Sequence, residues 1–250
     1  MDYSRARSAY GDATRPTLLF LHGIRLGRAI WERHARALAP RYHVVTLDLP
    51  GHGALAGVPF DEERIVELLD DTIDWIGAPP LVVGYSLGGF VAMRYAASFP
   101  ERTRALLLAD CTLDFEDWKL WPFDAGVGFV SLLPRPVLDA FLHATLQMTL
   151  PREYVGIVER IPFDRDVLGR TNAMARSATR SSDGIATYRK PVLFVNGEFD
   201  LAFRSDERRF LHRLPQARLR IMHGLDHAAP MRRVDEFVAI VEQFAQKVFA

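Results

Sequence analysis

The sequence predicts an α/β fold: a doubly wound, mostly parallel sheet of six to eight strands, with helices on both faces and a helical lid insertion. Three observations predict it. Short apolar runs rich in Val, Ile, Leu and Phe recur along the chain without the clean alternation of a half-exposed strand. Segments of helical period lie between them. The alternation stops between about Cys111 and Arg189 and then resumes. Continuous apolar strands suit a parallel sheet covered on both faces, and strands alternating with helices imply right-handed crossovers.

The strand-like runs are Thr17–Leu21, His43–Leu47, Leu81–Val83, Ala105–Ala109, Pro191–Asn196 and Arg218–Met222. Between the first two, Trp31, Ala35 and Leu38 recur at i, i+4 and i+7, and Pro40 closes the segment. Asp61 stands where an N-cap belongs, ahead of Ile65, Leu68, Leu69, Ile73 and Ile76 on one helical face. Ser205 is expected to cap a helix carrying Phe210, Leu211 and Leu214, ended by Pro215. A final helix presents Val234, Phe237, Val238, Val241, Phe244, Ala245 and Val248 as a long stripe. The interruption holds Trp118, Trp121, Phe123, Phe129 and Phe141, with helix boundaries at Pro134-Arg135-Pro136 and Pro151. The chain is therefore divided into a core over 1–110, a helical lid over 111–189 and the rest of the core over 190–250. No internal repeat or low-complexity tract is present.

Composition narrows the function. With 49% hydrophobic and 25% charged residues, the 250-residue chain has the balance of a soluble globular protein. Lys plus Arg and Asp plus Glu number 31 each, so there is no basic excess to meet phosphates of nucleic acid or a membrane surface. The single cysteine, Cys111, excludes an internal disulfide and a cysteine-based metal site, and fits a reducing compartment. No signal-peptide pattern and no apolar stretch near the ~20 residues of a membrane span are visible. The expectation is a cytoplasmic protein.

One short stretch points to chemistry. Gly84-Tyr85-Ser86-Leu87-Gly88 matches G-x-S-x-G, directly after an apolar strand and before a helical pattern with Val91, Met93, Tyr95 and Ala96. A sharp turn from strand to helix strains its central residue and projects that side chain, and flanking glycines avoid the collisions. The new helix aims unpaired N–H groups at the serine. A serine hydroxyl needs a base, and the base needs an acid to orient it. Asp200 follows the strand before Asn196-Gly197-Glu198, and His227 follows the strand ending at Met222. Both fall at carboxyl ends of strands, where open α/β sheets bind ligands. Asp226, beside His227 in sequence, is poorly placed to face the same ring.

Together these segments resemble the α/β-hydrolase superfamily. The resemblance is carried by His22-Gly23, Asp48-Leu49-Pro50-Gly51-His52-Gly53, Gly84-Tyr85-Ser86-Leu87-Gly88-Gly89, Gly197-Glu198-Phe199-Asp200 and Gly224-Leu225-Asp226-His227, in that order. It implies Ser86 as nucleophile, His227 as base and then acid, Asp200 as the acid of the triad, and the backbone N–H groups of Ile24 and Leu87 as the oxyanion hole. Asp110 is the competing acid, because some members take theirs from the end of the strand at Ala109. His22 is expected to support the oxyanion loop, His52 its own turn, and Asp48 its loop. Members commonly begin with a β-hairpin, whereas only about 16 residues precede the His-Gly strand, so the first sheet edge is expected to be short or missing.

The implied reaction is cleavage of a carboxylic ester, lactone or thioester by a Ser-His-Asp acyl-enzyme, on a small ester-like substrate, with no cofactor and no metal. C–C bond hydrolysis and cofactor-free haloperoxidation use the same triad and stay open. So does a non-catalytic, ligand-binding role. A serine at 86 argues against epoxide hydrolysis and dehalogenation, which use aspartate there in this fold. The lid aromatics line a pocket or hold the insertion to the core. Its arginines (Arg135, Arg152, Arg160, Arg165, Arg170, Arg176 and Arg180) meet an anionic substrate handle or lie on solvated faces. Oligomeric state is left open.

Overall fold

Apolar runs buried on both sides become the central strands. A computed structural model describes residues 1–114, 116, 119, 125–126, 128, 133–164, 166–177 and 181–250. Its strands are β1 (Arg7–Tyr10), β2 (Thr17–Leu21), β3 (His43–Leu47), β4 (Leu81–Tyr85), β5 (Ala105–Ala109), β6 (Val192–Gly197) and β7 (Arg218–Met222). They form one seven-stranded sheet in the order β1-β3-β2-β4-β5-β6-β7. Only β1 runs antiparallel, with Arg7 opposite Leu47 and Tyr10 opposite Val44. The first edge is therefore short but present: one four-residue strand rather than a hairpin.

Successive residues of one strand feed opposite cores. Leu19 and Leu21 of β2 join Val45 and Leu47 of β3 on one face. Leu18 and Phe20 join Val44 on the other. Full burial of such side chains contributes roughly 1.5–3 kcal/mol each. β7 departs from this pattern: Arg218 and Arg220 are exposed, because it is the far edge of the sheet and has one face to cover rather than two. Cationic side chains there also discourage pairing with another chain's edge.

The main helices are α1 (Glu32–Leu38), α2 (Glu62–Ile76), α3 (Leu87–Ser98), α4 (Arg135–Thr149), α5 (Arg152–Val158), α6 (Asp166–Ser177), α7 (Glu207–Arg213) and α8 (Val234–Phe249). Asp61 caps α2, its carboxylate accepting the Arg64 N–H at 2.9 Å, and Gly77 ends it in the left-handed region. On α8 the buried stripe includes Ile240, while Val238 and Phe244 are only partly buried.

The cap expected at Ser205 is not there. The residue before α7 is Asp206, and its side chain does not cap the helix. Its carboxylate instead accepts the Asp114 N–H at 2.9 Å and pairs with Lys119, so a tertiary tie takes the oxygen a cap would use. Among the described residues no helix is long and apolar enough to cross a membrane.

Candidate active site

The tight turn after β4 places Ser86 alone between strand and helix. Its φ of 50° and ψ of −117° are strained for a residue with a side chain. The turn is held by the Ser86 N–H on the Ala109 carbonyl at 2.9 Å, and by the Gly89 N–H on the Ser86 carbonyl at 2.9 Å. A Cβ at Gly84 would lie 2.6 Å from the Gly88 carbonyl oxygen, and one at Gly88 would lie 2.4 Å from the Leu21 oxygen. Those two glycines let three backbones converge under one hydroxyl.

β6 and β7 bring the partners. The His227 ring reaches Ser86 Oγ with Nε2 at 3.0 Å. Its Nδ1–H donates to Asp200 Oδ2 at 2.7 Å. Asp200 and Ser86 are buried, and His227 keeps about a third of its side chain open, 35%. Asp226 turns away to Arg232, which donates to both of its oxygens at 2.7 and 2.8 Å. Two aromatic residues that the sequence did not mark for this purpose fix the imidazole. Phe203 stacks on it with ring centres 4.3 Å apart, and the Tyr85 hydroxyl donates to the His227 carbonyl at 2.8 Å.

Across the cleft, the N–H groups of Ile24 and Leu87 donate to no group among the described residues. Leu87 is the first residue of α3, so the helix dipole adds to its N–H. The loop at Ile24 is clamped by two buried histidines. His22 accepts the Leu49 N–H on Nε2 at 3.0 Å and donates Nδ1–H to the Gly23 carbonyl at 2.8 Å. His52 accepts the Arg25 N–H on Nε2 at 3.1 Å and donates to the Pro50 carbonyl at 2.9 Å. The peptides on both sides of Ile24 are thus tied down. Beneath them Asp48 accepts N–H groups of Arg28 and Ala54, at 2.7 and 3.0 Å. Among the described residues, the non-glycine positions with positive φ are Arg25 (62°), Ser86 (50°) and Asp110 (51°), and all three border this site.

Burial lowers the pKa of His22 and His34 to about 4 and that of His52 to about 3. An unfolded chain binds these protons near pH ~6.5, well before the folded one does. Their contribution to stability is full above that value and is lost as pH falls towards the folded values. Unfolding in urea should show stability falling between pH ~7 and ~5, by about 1 kcal/mol per pH unit for each ring. Constant stability over that range would mean the rings are not held neutral.

A cavity of about 420 Å³ opens onto Ser86 and His227. Ile24, Arg25 and Leu26 line one side, and Thr145, Leu146 and Met148 of α4 another. Met148 and Phe199 are 81% and 63% exposed, giving the mouth an apolar rim. Trp118, Trp121, Phe123 and Phe129 lie outside the described residues, as do Arg165, Arg180 and the side chains of Arg135 and Arg176. Arg152 and Arg170 are exposed on their helices, and Arg160 is exposed in the turn after α5. Asp110, Asp200 and His227 present one donor atom each within 4.8 Å of one another, which is a metal-ligand spacing, although Asp200 and His227 are already hydrogen-bonded together.

The model of the "Alpha/beta hydrolase family" matches residues 18–240. A pimeloyl-[acyl-carrier protein] methyl ester esterase of Chromobacterium violaceum is 32% identical over 61% of this chain and 58% of that one. The enzyme of the same name from Neisseria meningitidis serogroup A is 30% identical over 99% of this chain and 82% of its own. Among solved structures, one from a study of carboxylesterases of Nitrososphaera gargenis superposes with a TM-score of 0.82, covering 97% of this chain and 94% of that chain at 16% identity. That last likeness is one of fold alone.

Proposed function

The chain belongs to the alpha/beta hydrolase family, and on that premise we propose that it hydrolyses carboxylic esters through an acyl-enzyme formed on Ser86. One observation carries the reading: serine, imidazole and carboxylate are in hydrogen-bonding line, at 3.0 and 2.7 Å, on the wall of a substrate-sized cavity. His227 Nε2 takes the Ser86 proton as Oγ attacks the ester carbonyl. Asp200 holds the ring in the tautomer that leaves Nε2 free, and stabilises the imidazolium that forms. The tetrahedral oxyanion is met by the N–H groups of Ile24 and Leu87, each such donor contributing about 3–4 kcal/mol in comparable sites. His227 then returns the proton to the departing alcohol. Water, activated by the same base, releases the acid.

The residues from 111 to 189 serve as the lid in this reading, with α4 closing one side of the cavity. The finer proposal is a small leaving alcohol, methanol, at the end of an acyl chain, the chemistry named for the two relatives. The test combines methanol release from methyl esters of acyl thioesters, turnover of p-nitrophenyl acyl esters, and labelling of Ser86 by a fluorophosphonate. Turnover with labelling is expected. Labelling with turnover of p-nitrophenyl esters only would remove the methyl ester. Inertness in all three would favour a ligand-binding protein without catalysis.

A further inference from the structure

One buried carboxyl next to the site is not used in the steps above. Asp110 directly follows β5, is inaccessible to solvent and sits at a φ of 51°. Its N–H is held by the Val195 carbonyl at 3.0 Å and by Asn196 Oδ1 at 3.1 Å. Asn196 is itself fixed, donating to Thr112 Oγ1 and Glu207 Oε1 at 2.9 and 2.8 Å. The backbone strain at Asp110 is therefore locked in, and it aims the carboxyl at the back of the Asp200–His227 pair. Oδ1 accepts the Gly197 N–H at 2.8 Å, whereas Oδ2 is buried and receives no donor. An Asp110 oxygen, an Asp200 oxygen and a His227 nitrogen lie within 4.8 Å of one another.

Two buried carboxylates this close do not both ionise without a cation between them. Among the described residues no lysine or arginine pairs with either carboxyl. Asp226 approaches from the loop after β7 and has its own Arg232. Tyr85 at the end of β4 is neutral and bonded to the His227 carbonyl. Cys111 is buried and neutral, its thiol pushed up by burial. Arg204 donates to Glu207 and to the Glu198 carbonyl. His227 faces the pair through Nδ1, which is bonded to Asp200 Oδ2 at 2.7 Å. A proton on Oδ2 satisfies the orphaned oxygen and removes the repulsion together. Desolvation, reinforced by the neighbouring Asp200, pushes the Asp110 carboxyl well above its ordinary range, against a smaller opposing effect of the Gly197 N–H.

We propose that Asp110 is a positioning residue that stays protonated at the working pH and donates its O–H to the Asp200 carboxylate, so that the pair shows His227 a single negative charge. The proposal rests on the Ser86–His227–Asp200 reading for its catalytic consequence, but its proton can be observed without turnover. Infrared spectra of the full chain at pH ~7 should contain a protonated-carboxyl C=O band that disappears in Asp110→Asn. Asp110→Ala should lower kcat about tenfold with KM held, a charge-assisted hydrogen bond being lost. Asp110→Asn keeps an N–H donor and should restore most of that loss, with the midpoint of the acid limb of kcat/KM unmoved. Were Asp110 ionised, the same substitution would delete a negative charge beside the imidazolium and move that midpoint to lower pH. A missing infrared band, a shifted limb, or full activity in Asp110→Ala would each overturn the proposal. If the alanine variant does not fold, the band and the asparagine pH profile decide alone. An inactive Asp110→Asn beside an active Asp200→Asn would instead displace the triad reading, while the band would still report whether Asp110 holds the proton.

Discussion

Ser86→Ala is expected to lower ester hydrolysis by about 10⁶-fold, the scale seen when a serine-triad nucleophile is removed. The change deletes one oxygen whose partner is His227 Nε2 at 3.0 Å, and keeps the Cβ and the strained turn. Folding should hold, because the backbone bonds from Ser86 to Ala109 and from Gly89 to Ser86 do not involve the hydroxyl. The thermal midpoint should stay near that of the unaltered chain, and labelling by a fluorophosphonate should vanish. Substrate binding should persist, since the cavity wall and both oxyanion donors are untouched. The measurement is kcat on a p-nitrophenyl ester beside a melting curve. An alanine variant within tenfold of the original would mean that another group attacks the carbonyl, and the acyl-enzyme reading would fail with it.

Much of this arrangement was readable in the sequence because it is local. A strand buried on both faces must be apolar throughout, so Thr17–Leu21 and Ala105–Ala109 announced themselves, and the glycines around Ser86 announced the bend. β1 is harder, since an edge strand has less to bury and its four residues carry little apolar signal, whereas the other edge, Arg218–Met222, is legible over its full length although arginines alternate with apolar residues in it. What the sequence hid depends on chain folding far-separated residues together. His52 holds the Arg25 N–H from 27 positions away, and nothing in Pro50-Gly51-His52-Gly53 names that partner. Phe203 belongs to no motif, and only the folded chain shows it stacked on the imidazole. Ser205 had the chemistry of a cap, but Asp206 had the tertiary partners. Asp110 could be picked out as a rival acid, yet only its position in space, with Oδ2 orphaned behind Asp200, separates a rival from a supporting group.

Asp200→Asn is the second large effect and should lower kcat about 10⁴-fold, as loss of the orienting carboxylate does in serine triads. The carboxylate accepts from Nδ1–H at 2.7 Å, which leaves Nε2 with a lone pair facing Ser86. An asparagine of the same shape can turn its NH₂ to the ring. Nδ1 must then accept, the proton moves to Nε2, and the ring can no longer take one from Ser86. The effect is one of tautomer and charge rather than of packing, so the melting temperature should change little and KM should stay within a few-fold. Activity should remain above the uncatalysed rate, because the oxyanion donors proposed at Ile24 and Leu87 are left in place. Asp110→Asn, read in the same assay, separates the two carboxyls: an amide in place of a protonated acid keeps a donor towards Asp200, whereas an amide in place of Asp200 removes the acceptor from His227. If Asp200→Asn lost less than tenfold while Asp110→Asn lost thousands, the orienting charge would belong to the end of β5 instead, and the 2.7 Å contact would be only a resting one.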